Sequence, residues 1–515
     1  MKKILIEKST YLDSVSLMRV SKKAAEADGI DSAMVAMATD TNLLLLKEAG
    51  FDPGSAAGAS ANDLIIALAA ADEASLESAL ELIRHEIEGG AAPAEDGEYT
   101  PRSLDGAFKS RPDLNLVFVS VPGKFAAGEA RRAIAAGRHV MIFSDNVSVD
   151  EEVKLKAMGR ASGLLVMGPD CGTAIINGVG LGFANAVPRG NIGIVSASGT
   201  GAQEVSSVLA RLGAGISQLI GTGGRDVSES VGGATTIPGL KALAADEKTD
   251  VIVIISKVPD EATGRDILGI ARQSDKPCVI WFAGQDARPG EDNLIYAGTL
   301  ADTAREAAKA AGIEPGVPPA DGAAGVADNL ADNLGAGLAP GRKFVRGLFG
   351  GGTLGQEAVF LLSSSLGKIS TNMKLPGTSL LEDPYRSVGH TVVDLGDDTF
   401  TRGRAHPMID QSYKLARIAK EFEDPETAVI LLDVVLGYGC NMDPGGEIAE
   451  ALLKLREKRG PTAAPRVVAG LCGTYDDPQD YAGQKRKLES AGAVVAETNE
   501  SACGLVARII GGQHG

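Results

Sequence analysis

The stretch that decides the fold is Ser198-Gly199-Thr200-Gly201-Ala202-Gln203-Glu204, and it recurs later in the chain as Gly351-Gly352-Thr353-Leu354-Gly355-Gln356-Glu357. Each copy follows an apolar run, Ile192 to Val195 or Phe344 to Phe349, and each precedes a helical pattern. A glycine-rich turn between a strand and a helix directs backbone N–H groups outward at the positive end of the helix dipole, where a phosphate or carboxylate binds. The repetition predicts a duplicated unit with one anion held between two helix starts.

The residues of the two turns are therefore the predicted phosphate-binding residues. They are Ser198, Gly199, Thr200, Gly201, Gly351, Gly352, Thr353 and Gly355. One helix start contributes about 0.3–1 kcal/mol to anion binding. Glycine also serves tight turns for structural reasons alone, but the doubled motif favours the anion site.

The composition bounds the fold class and the partners. The chain has 515 residues, of which 44% are hydrophobic and only 4% aromatic. This length predicts three or four domains, and the small residues fit α/β layers. The net charge of −17 argues against nucleic acid and anionic membranes as partners. A bound anion must then be held by local N–H groups or a few placed cations.

The distribution of cysteines and apolar segments predicts a cytoplasmic protein. The five cysteines are scattered, with no CxxC and no metal-ligand spacing among cysteines and histidines, so we expect reduced thiols and no metal site. The first residues lack a signal segment. No apolar run approaches the length needed to cross a bilayer.

Alternating apolar strands and helical patterns predict an α/β protein of four domains. Near-continuous apolar strands indicate parallel sheets buried on both faces, in which ligands bind outside the carboxyl ends of the strands. Linkers rich in Gly, Ala, Pro and acidic residues separate the first two domains and the last two. The predicted domains are a small ferredoxin-like α+β domain at 1–90, a Rossmann-like domain at 104–188, and two flavodoxin-like domains at 191–313 and 342–513.

Several motifs carry a resemblance to the succinyl-CoA synthetase superfamily. Residues 114–313, with Gly168-Pro169-Asp170-Cys171 and Gly221-Thr222-Gly223-Gly224-Arg225-Asp226, resemble much of its α subunit. Residues 342–513 resemble the carboxyl-terminal ligase domain of its β subunit. The fused order resembles the FdrA family, as do segments 13–18, 37–42 and 399–410. The resemblance implies a truncated CoA-binding-like domain at 104–188 and two ligase domains after it.

The resemblance implies two activities. The family is commonly labelled acyl-CoA synthetase. It also resembles a subunit of an oxamate carbamoyltransferase of anaerobic allantoin and purine breakdown, which converts oxalurate and phosphate into oxamate and carbamoyl phosphate.

Departures from the synthetase pattern distinguish these activities. Tyr296 stands where the synthetases carry a phosphorylated His, and Lys257 falls near the position of the Glu that holds that His. The opening strand and Gly-rich loop of the CoA-binding domain have no counterpart before Leu114, and no ATP-grasp domain precedes the ligase half. The pattern favours carbamoyl or acyl transfer with phosphate as a substrate and no required cofactor, while CoA binding stays open. The alternatives are an acyl-CoA synthetase that recruits nucleotide and CoA sites from partners, and a non-catalytic scaffold.

The remaining candidate residues are charged or polar side chains in loops. Arg402 and Arg404 suit bidentate binding of a carboxylate or a phosphate, and His406 beside them suits proton transfer. The alternative is a solvated loop. With Tyr296 these are the catalytic candidates. We expect a small anionic substrate, phosphate, and a homo-oligomer or a complex with companion subunits. Further pocket candidates are Asp170, Arg225, Asp226, Lys257, Asp433 and Asn441.

Overall fold

The structure is a computed structural model. It describes residues 1–8, 10, 14–39, 63–88, 101, 103–313, 331–401, 404–459 and 464–511, with short pieces between residues 42 and 60. The chain divides into two compact units. The first contains residues 1–112 and 396–410, and the second contains residues 113–395 and 411–515.

The first unit is a small α+β domain built on a three-stranded antiparallel sheet with the order β1-β3-β2. The central strand is apolar throughout and buried along its whole length, because helices cover one face and the segment after β2 covers the other. This confirms the ferredoxin-like prediction, although half of the helix predicted at 42–49 lies outside the described residues. The elements are β1 (Lys2–Glu7), α1 (Ser14–Ala25), β2 (Ile30–Met37), β3 (Leu64–Ala70), α2 (Glu73–Glu88) and α3 (Leu104–Ser110).

The second unit opens with a three-stranded parallel sheet of the order β4-β5-β6. Strands and helices alternate as the sequence predicts for a Rossmann-like domain. Ser148 begins the second of its helices by accepting a hydrogen bond from the Glu151 amide. The elements are β4 (Leu116–Val119), α4 (Gly123–Ala135), β5 (His139–Ile142), α5 (Val149–Ala161) and β6 (Val166–Met167).

An eight-stranded sheet follows, with the order β13-β14-β12-β11-β9-β10-β7-β8. Its centre is parallel and apolar, as predicted, and antiparallel hairpins form both edges. The elements are β7 (Thr173–Ile176), β8 (Val179–Gly182), β9 (Arg189–Ser196), α6 (Gly199–Arg211), β10 (Ile216–Gly221), α7 (Thr236–Ala245), β11 (Val251–Ser256), α8 (Glu261–Arg272), β12 (Cys278–Phe282), β13 (Arg288–Glu291), β14 (Leu294–Tyr296) and α9 (Leu300–Ala310).

A seven-stranded, fully parallel sheet completes the second unit, with the order β17-β16-β18-β15-β19-β20-β21. The elements are β15 (Phe344–Phe349), α10 (Gly352–Leu366), β16 (Ser370–Thr371), β17 (Ser379–Leu380), β18 (Thr391–Asp394), α12 (Ser412–Glu423), β19 (Thr427–Val435), α13 (Pro444–Arg459), β20 (Arg466–Cys472), α14 (Tyr481–Ser490), β21 (Val494–Ala496) and α15 (Asn499–Gly511); α11 (Asp398–Thr401) belongs to the first unit.

Two glutamate side chains join the two large sheets, because each accepts a hydrogen bond from the last helix of the other sheet's domain. Glu204, which ends the first copy of the motif, accepts a hydrogen bond from the amide of Asn499 at the start of α15, at 2.9 Å. Glu357, which ends the second copy, accepts one from the amide of Leu300 at the start of α9, at 2.7 Å. Each copy therefore caps the last helix of the other. These two hydrogen bonds fix helices α6 and α10 side by side, with their amino ends together.

Candidate functional site

The two glycine-rich turns meet at one junction, which we define as Ser198–Thr200 together with Gly351–Thr353. The hydroxyl of Ser198 donates to the hydroxyl of Thr353 at 2.6 Å. A Cβ atom on Gly351 would lie 2.7 Å from the Cγ2 of Thr200, so only glycine lets the second turn approach this closely. Both turns lie at the carboxyl ends of the central strands β9 and β15, where parallel sheets bind ligands.

The junction offers four backbone donors. Within the described residues, the amides of Gly199, Thr200, Gly352 and Thr353 form no hydrogen bond. The Thr200 side chain is also without a partner in this part of the chain, although Thr200 is only 9% exposed. Buried polar groups ordinarily find a partner. The arrangement can therefore hold an oxyanion.

Three of the five predicted phosphate-binding glycines, Gly201, Gly351 and Gly355, do not offer an amide donor, and the amide of Gly351 is taken by the carboxylate of Asp433. The amide of Gly201 donates to the Ser198 hydroxyl at 2.9 Å, which caps helix α6. The amide of Gly355 donates to the carbonyl of Gly351 at 3.0 Å inside helix α10. Gly201 and Gly355 lie too far into their helices, where intrahelical and capping bonds use the N–H groups.

Different groups hold the two turns in place. In the first turn, the Ser198 amide donates to the neutral hydroxyl of Ser196 at 3.1 Å. In the second, the amides of Gly350 and Gly351 each donate to one carboxylate oxygen of Asp433, both at 2.7 Å. Asp433 is almost completely buried, and the ammonium of Lys414 donates to it at 2.6 Å. The second turn thus already carries an anion that belongs to the chain itself.

A lysine lies beside the first turn. The Nζ atom of Lys257, which follows strand β11, lies 3.6 Å from the position that a Cβ atom on Gly224 would take. The carbonyl oxygen of Ala197 lies 3.9 Å from the same position. Lys257 is exposed and forms no ion pair or hydrogen bond with any residue that the structure describes. Its charge is available to a ligand at the first turn.

Asp226 lies in a fully buried ion cluster. Its carboxylate accepts hydrogen bonds from the ammonium of Lys156 at 2.6 Å and from the amides of Thr235 and Thr236. Arg225 is held by Glu152 at 2.9 Å. These contacts anchor the start of helix α7. A role of Arg225 and Asp226 in ligand binding stays a prediction that these contacts do not support.

Tyr296 lies in strand β14, paired with Ile280. Its hydroxyl is buried and has no hydrogen-bond partner among the described residues. The guanidinium of Arg288 lies over its ring, 3.8 Å from the ring centre. Among the described residues no hydrogen bond joins Tyr296 to the junction, so its catalytic role stays a prediction.

Two further pocket candidates lie in loops. Asp170 is exposed, with a positive φ of 55°. Asn441 donates to Glu447 at 3.0 Å and accepts from the amide of Asp443 at 2.8 Å, which organises the loop before helix α13. These bonds give Asn441 a structural role in that loop. A role in ligand binding stays a prediction for both Asp170 and Asn441.

The remaining catalytic candidates lie in the segment 396–410, which belongs to the first unit. Arg402 falls outside the described residues. The Nδ1 atom of His406 accepts a hydrogen bond from the amide of Met408 at 3.2 Å, and the carbonyl of His406 accepts from Ile409 and Asp410. The roles of Arg404 and His406 stay predictions.

Sequence reasoning missed two kinds of residue. Lys414 lies in a helical pattern far from the turns and gives no sign that it pairs with Asp433. The glutamates were visible, because both copies of the motif end in Gln-Glu. Burial raises the pKa of the Glu357 carboxyl to about 8, and burial also raises the pKa of Glu204. The sequence signal for these glutamates is that an acidic residue follows both glycine turns at the same spacing.

Comparison with known proteins now defines the class of protein. The family model described as CoA-ligase matches residues 348–509, and the model described as AllF, heavy metal-associated domain, matches residues 1–101. A succinate–CoA ligase α subunit of Archaeoglobus fulgidus is 29% identical over 196 residues, which cover 37% of this chain and 66% of that subunit. The chain is thus of the CoA-ligase type.

A relative that matches this chain over almost its whole length shows the family to which the chain belongs. The uncharacterized protein YahF of Escherichia coli K12 is 40% identical over 511 residues, which cover 98% of both chains. The chain belongs to the same family, the FdrA family of the succinyl-CoA synthetase superfamily. The apo dinucleotide-forming acetyl-coenzyme A synthetase 1 of Ca. Korarchaeum cryptofilum covers 82% of this chain and 88% of its own, at 16% identity and a TM-score of 0.32.

The name of the amino-terminal family model raises the question of a metal. Residues 1–101 contain no cysteine and a single histidine, His85. Within the described residues, no group of three or more His, Cys, Asp or Glu side chains is placed to hold a metal ion. The residues present therefore do not fit a heavy-metal site.

None of the helices described is long and apolar enough to cross a membrane.

Proposed function

We propose that the chain is a CoA-ligase-like enzyme that forms or cleaves an acyl phosphate at the junction. The observation that supports this proposal is the meeting of two helix starts with four unpaired amides and the unpartnered hydroxyl of Thr200. Membership of the CoA-ligase type favours acyl-CoA as the acyl donor. Phosphate is then the acceptor.

In the proposed step, a phosphate oxygen attacks the carbonyl carbon of the acyl donor. A carbon–oxygen bond forms, and the bond from the carbonyl carbon to sulfur breaks as CoA leaves as a thiolate. The amides of Gly199 and Thr200 and the Thr200 hydroxyl hold the phosphate and orient the attacking oxygen. Catalysis then comes from positioning and from stabilisation of the developing oxyanion, without a covalent intermediate on the chain.

A second candidate is carbamoyl transfer from oxalurate to phosphate, with oxamate and carbamoyl phosphate as products. It uses the same attack by phosphate, but the bond that breaks joins the carbonyl carbon to nitrogen, and that nitrogen takes the proton. Tyr296 stands where the synthetases carry His, and Lys257 lies near the position of their Glu, which favours a direct attack by phosphate. Cytoplasmic location and companion subunits belong to this proposal.

The experiment compares the two donors with one enzyme preparation, with and without the products of neighbouring genes. Phosphate-dependent release of free thiol from acetyl-CoA or succinyl-CoA supports the acyl-CoA reaction, and carbamoyl phosphate formed from oxalurate supports the second candidate. In either case Thr200→Val should lower kcat/KM about ten- to a hundredfold, because a hydrogen bond to a charged group contributes about 1.5–3 kcal/mol.

The matched control is Thr427→Val. Thr427 is a buried threonine at the amino end of β19, the opposite end of the sheet from the junction, and its hydroxyl donates to Asp424. It should leave kcat/KM unchanged. Turnover that does not require phosphate would contradict the proposal, and phosphate binding without any turnover would favour the scaffold alternative.

A further inference from the structure

We propose that the junction binds its oxyanion on one side only, at the first turn, with Lys257 as the counter-cation. The inference rests on the proposed function and names a ligand-binding residue for it. The ligand class is a tetrahedral oxyanion with two negative charges, such as orthophosphate or the phosphoryl group of an acyl phosphate.

The first step of the argument is the charge of the second turn. Gly350 and Gly351 already donate to the carboxylate of Asp433. A second carboxylate is close by, because a Cβ atom on Gly352 would lie 2.6 Å from an oxygen of Asp394. The Lys414 ammonium is buried against Asp433 and faces away from solvent. A dianion placed on this side would meet acidic side chains.

The second step is the charge of the first turn. Its structural partners, the hydroxyls of Ser196 and Ser198, are neutral. Lys257 brings a full positive charge over Gly224, where a Cβ atom would lie 3.6 Å from its Nζ atom and 3.9 Å from the carbonyl oxygen of Ala197, the residue before the first turn. Opposite charges that lie close together near a protein surface attract each other more strongly than they do in bulk water.

The third step is an unsatisfied group that points to a ligand independently of the helix dipole. Thr200 is nine-tenths buried at the junction, and its hydroxyl has no partner in the described part of the chain. Glycine at position 351 keeps the space beside this hydroxyl free of a side chain. The amides of Gly199 and Thr200, the Thr200 hydroxyl and the Lys257 ammonium are then the donors to one oxyanion.

The test is calorimetric titration of inorganic phosphate, and of acetate as a monoanion, into the full-length chain and its variants. Lys257→Gln should weaken phosphate binding about tenfold, roughly 1.4 kcal/mol, and should lower the dependence of the affinity on salt. Acetate binding should change less, because its charge is smaller. Lys257→Arg should restore most of the affinity.

The control is Lys248→Gln, which removes an exposed lysine before strand β11, at the end of that strand opposite Lys257. It should bind phosphate as the parent chain does. If the parent chain binds phosphate and Lys257→Gln binds it equally well, the assignment of Lys257 is overturned and the proposed function stands. If the parent chain binds no phosphate at millimolar concentration, the proposed function and this inference fail together.

Discussion

The two copies of the glycine turn share a sequence pattern but differ in what holds them. The first turn is capped by the hydroxyl of Ser198 and supported by Ser196, and both groups are neutral. The second turn has glycine in place of that cap and donates its amides to the buried carboxylate of Asp433. The difference shows that the two turns share the geometry of a helix start but are held by groups of different charge.

The different supports of the two turns make the junction electrostatically asymmetric. Lys257 places a positive charge beside the first turn, whereas two amides of the second turn are already taken by the carboxylate of Asp433, whose charge Lys414 balances. A symmetric site would bind an anion between equivalent turns. We expect this junction to bind the anion at the first turn only. The second turn then lines the site without donating to the anion.

The largest expected effect comes from breaking the charge pair at the second turn. Lys414→Met leaves the carboxylate of Asp433 buried without a cation and should lower the free energy of unfolding by about 3–5 kcal/mol. The double variant Lys414→Met with Asp433→Asn removes both charges and should recover much of that loss. Urea unfolding followed by tryptophan fluorescence and circular dichroism measures both. Equal stability of the single variant and the parent chain would show that the pair does not hold the turn.

A smaller effect is expected from making the second turn resemble the first. Gly351→Ser places a Cβ atom 2.7 Å from Thr200 and forces the two helix starts apart, which should cost about 1–3 kcal/mol. The control is Gly128→Ala in helix α4, where a Cβ atom meets no atom within 4 Å. That substitution should stabilise the chain by about 0.5–1 kcal/mol. Thermal unfolding of the two variants distinguishes a steric effect from a general intolerance of glycine replacement.

The reciprocal carboxylates predict a dependence of stability on pH. Burial raises the pKa of Glu357 from 4.5 to about 8, so the folded chain keeps its proton where the unfolded chain loses it. The stability contribution of this group is complete below pH 4.5 and is lost progressively as the pH rises to about 8. Glu357→Gln keeps the shape, loses one acceptor at a cost of about 1 kcal/mol at low pH, and flattens this dependence. The free energy of unfolding of parent and variant, measured from pH 5 to pH 9, checks this prediction. If the two free energies depend on pH in the same way, Glu357 is not the source of the pH dependence.

The smallest effect is expected at the neutral support of the first turn. Ser196→Ala removes a hydroxyl that accepts from Ser198 and donates to its carbonyl, and should cost about 0.5–1.5 kcal/mol. A loss as large as that of Lys414→Met would mean that the two turns depend on their supports equally. Unfolding in urea under the same conditions gives the comparison directly.

Much of the fold was predictable because it rests on local patterns. Apolar runs such as Val251–Ser256 and Val429–Leu432 mark buried parallel strands, and the repeated glycine turn marks the strand-to-helix junctions. The edge hairpin from Thr173 to Gly182 was not predicted. Its strands are short, and its pairing with β10 depends on tertiary contact.

The site was predictable only in part. The motif indicates which helix starts carry donors, and the structure brings Ser198 and Thr353 together as the repetition suggests. The sequence does not show that Asp433 occupies the second turn, since a strand-end aspartate looks the same whether it faces solvent or a glycine amide. Lys414 lies 19 residues before Asp433 along the chain, so no local spacing signals their pairing.

The most direct test of the asymmetric junction is a crystal structure of the chain with phosphate or orthovanadate. The account predicts one tetrahedral density per chain within hydrogen-bonding distance of the Gly199 and Thr200 amides, with the Lys257 ammonium beside it. Density centred on the Gly352 and Thr353 amides and remote from Lys257, or density shared equally by both turns, would contradict it.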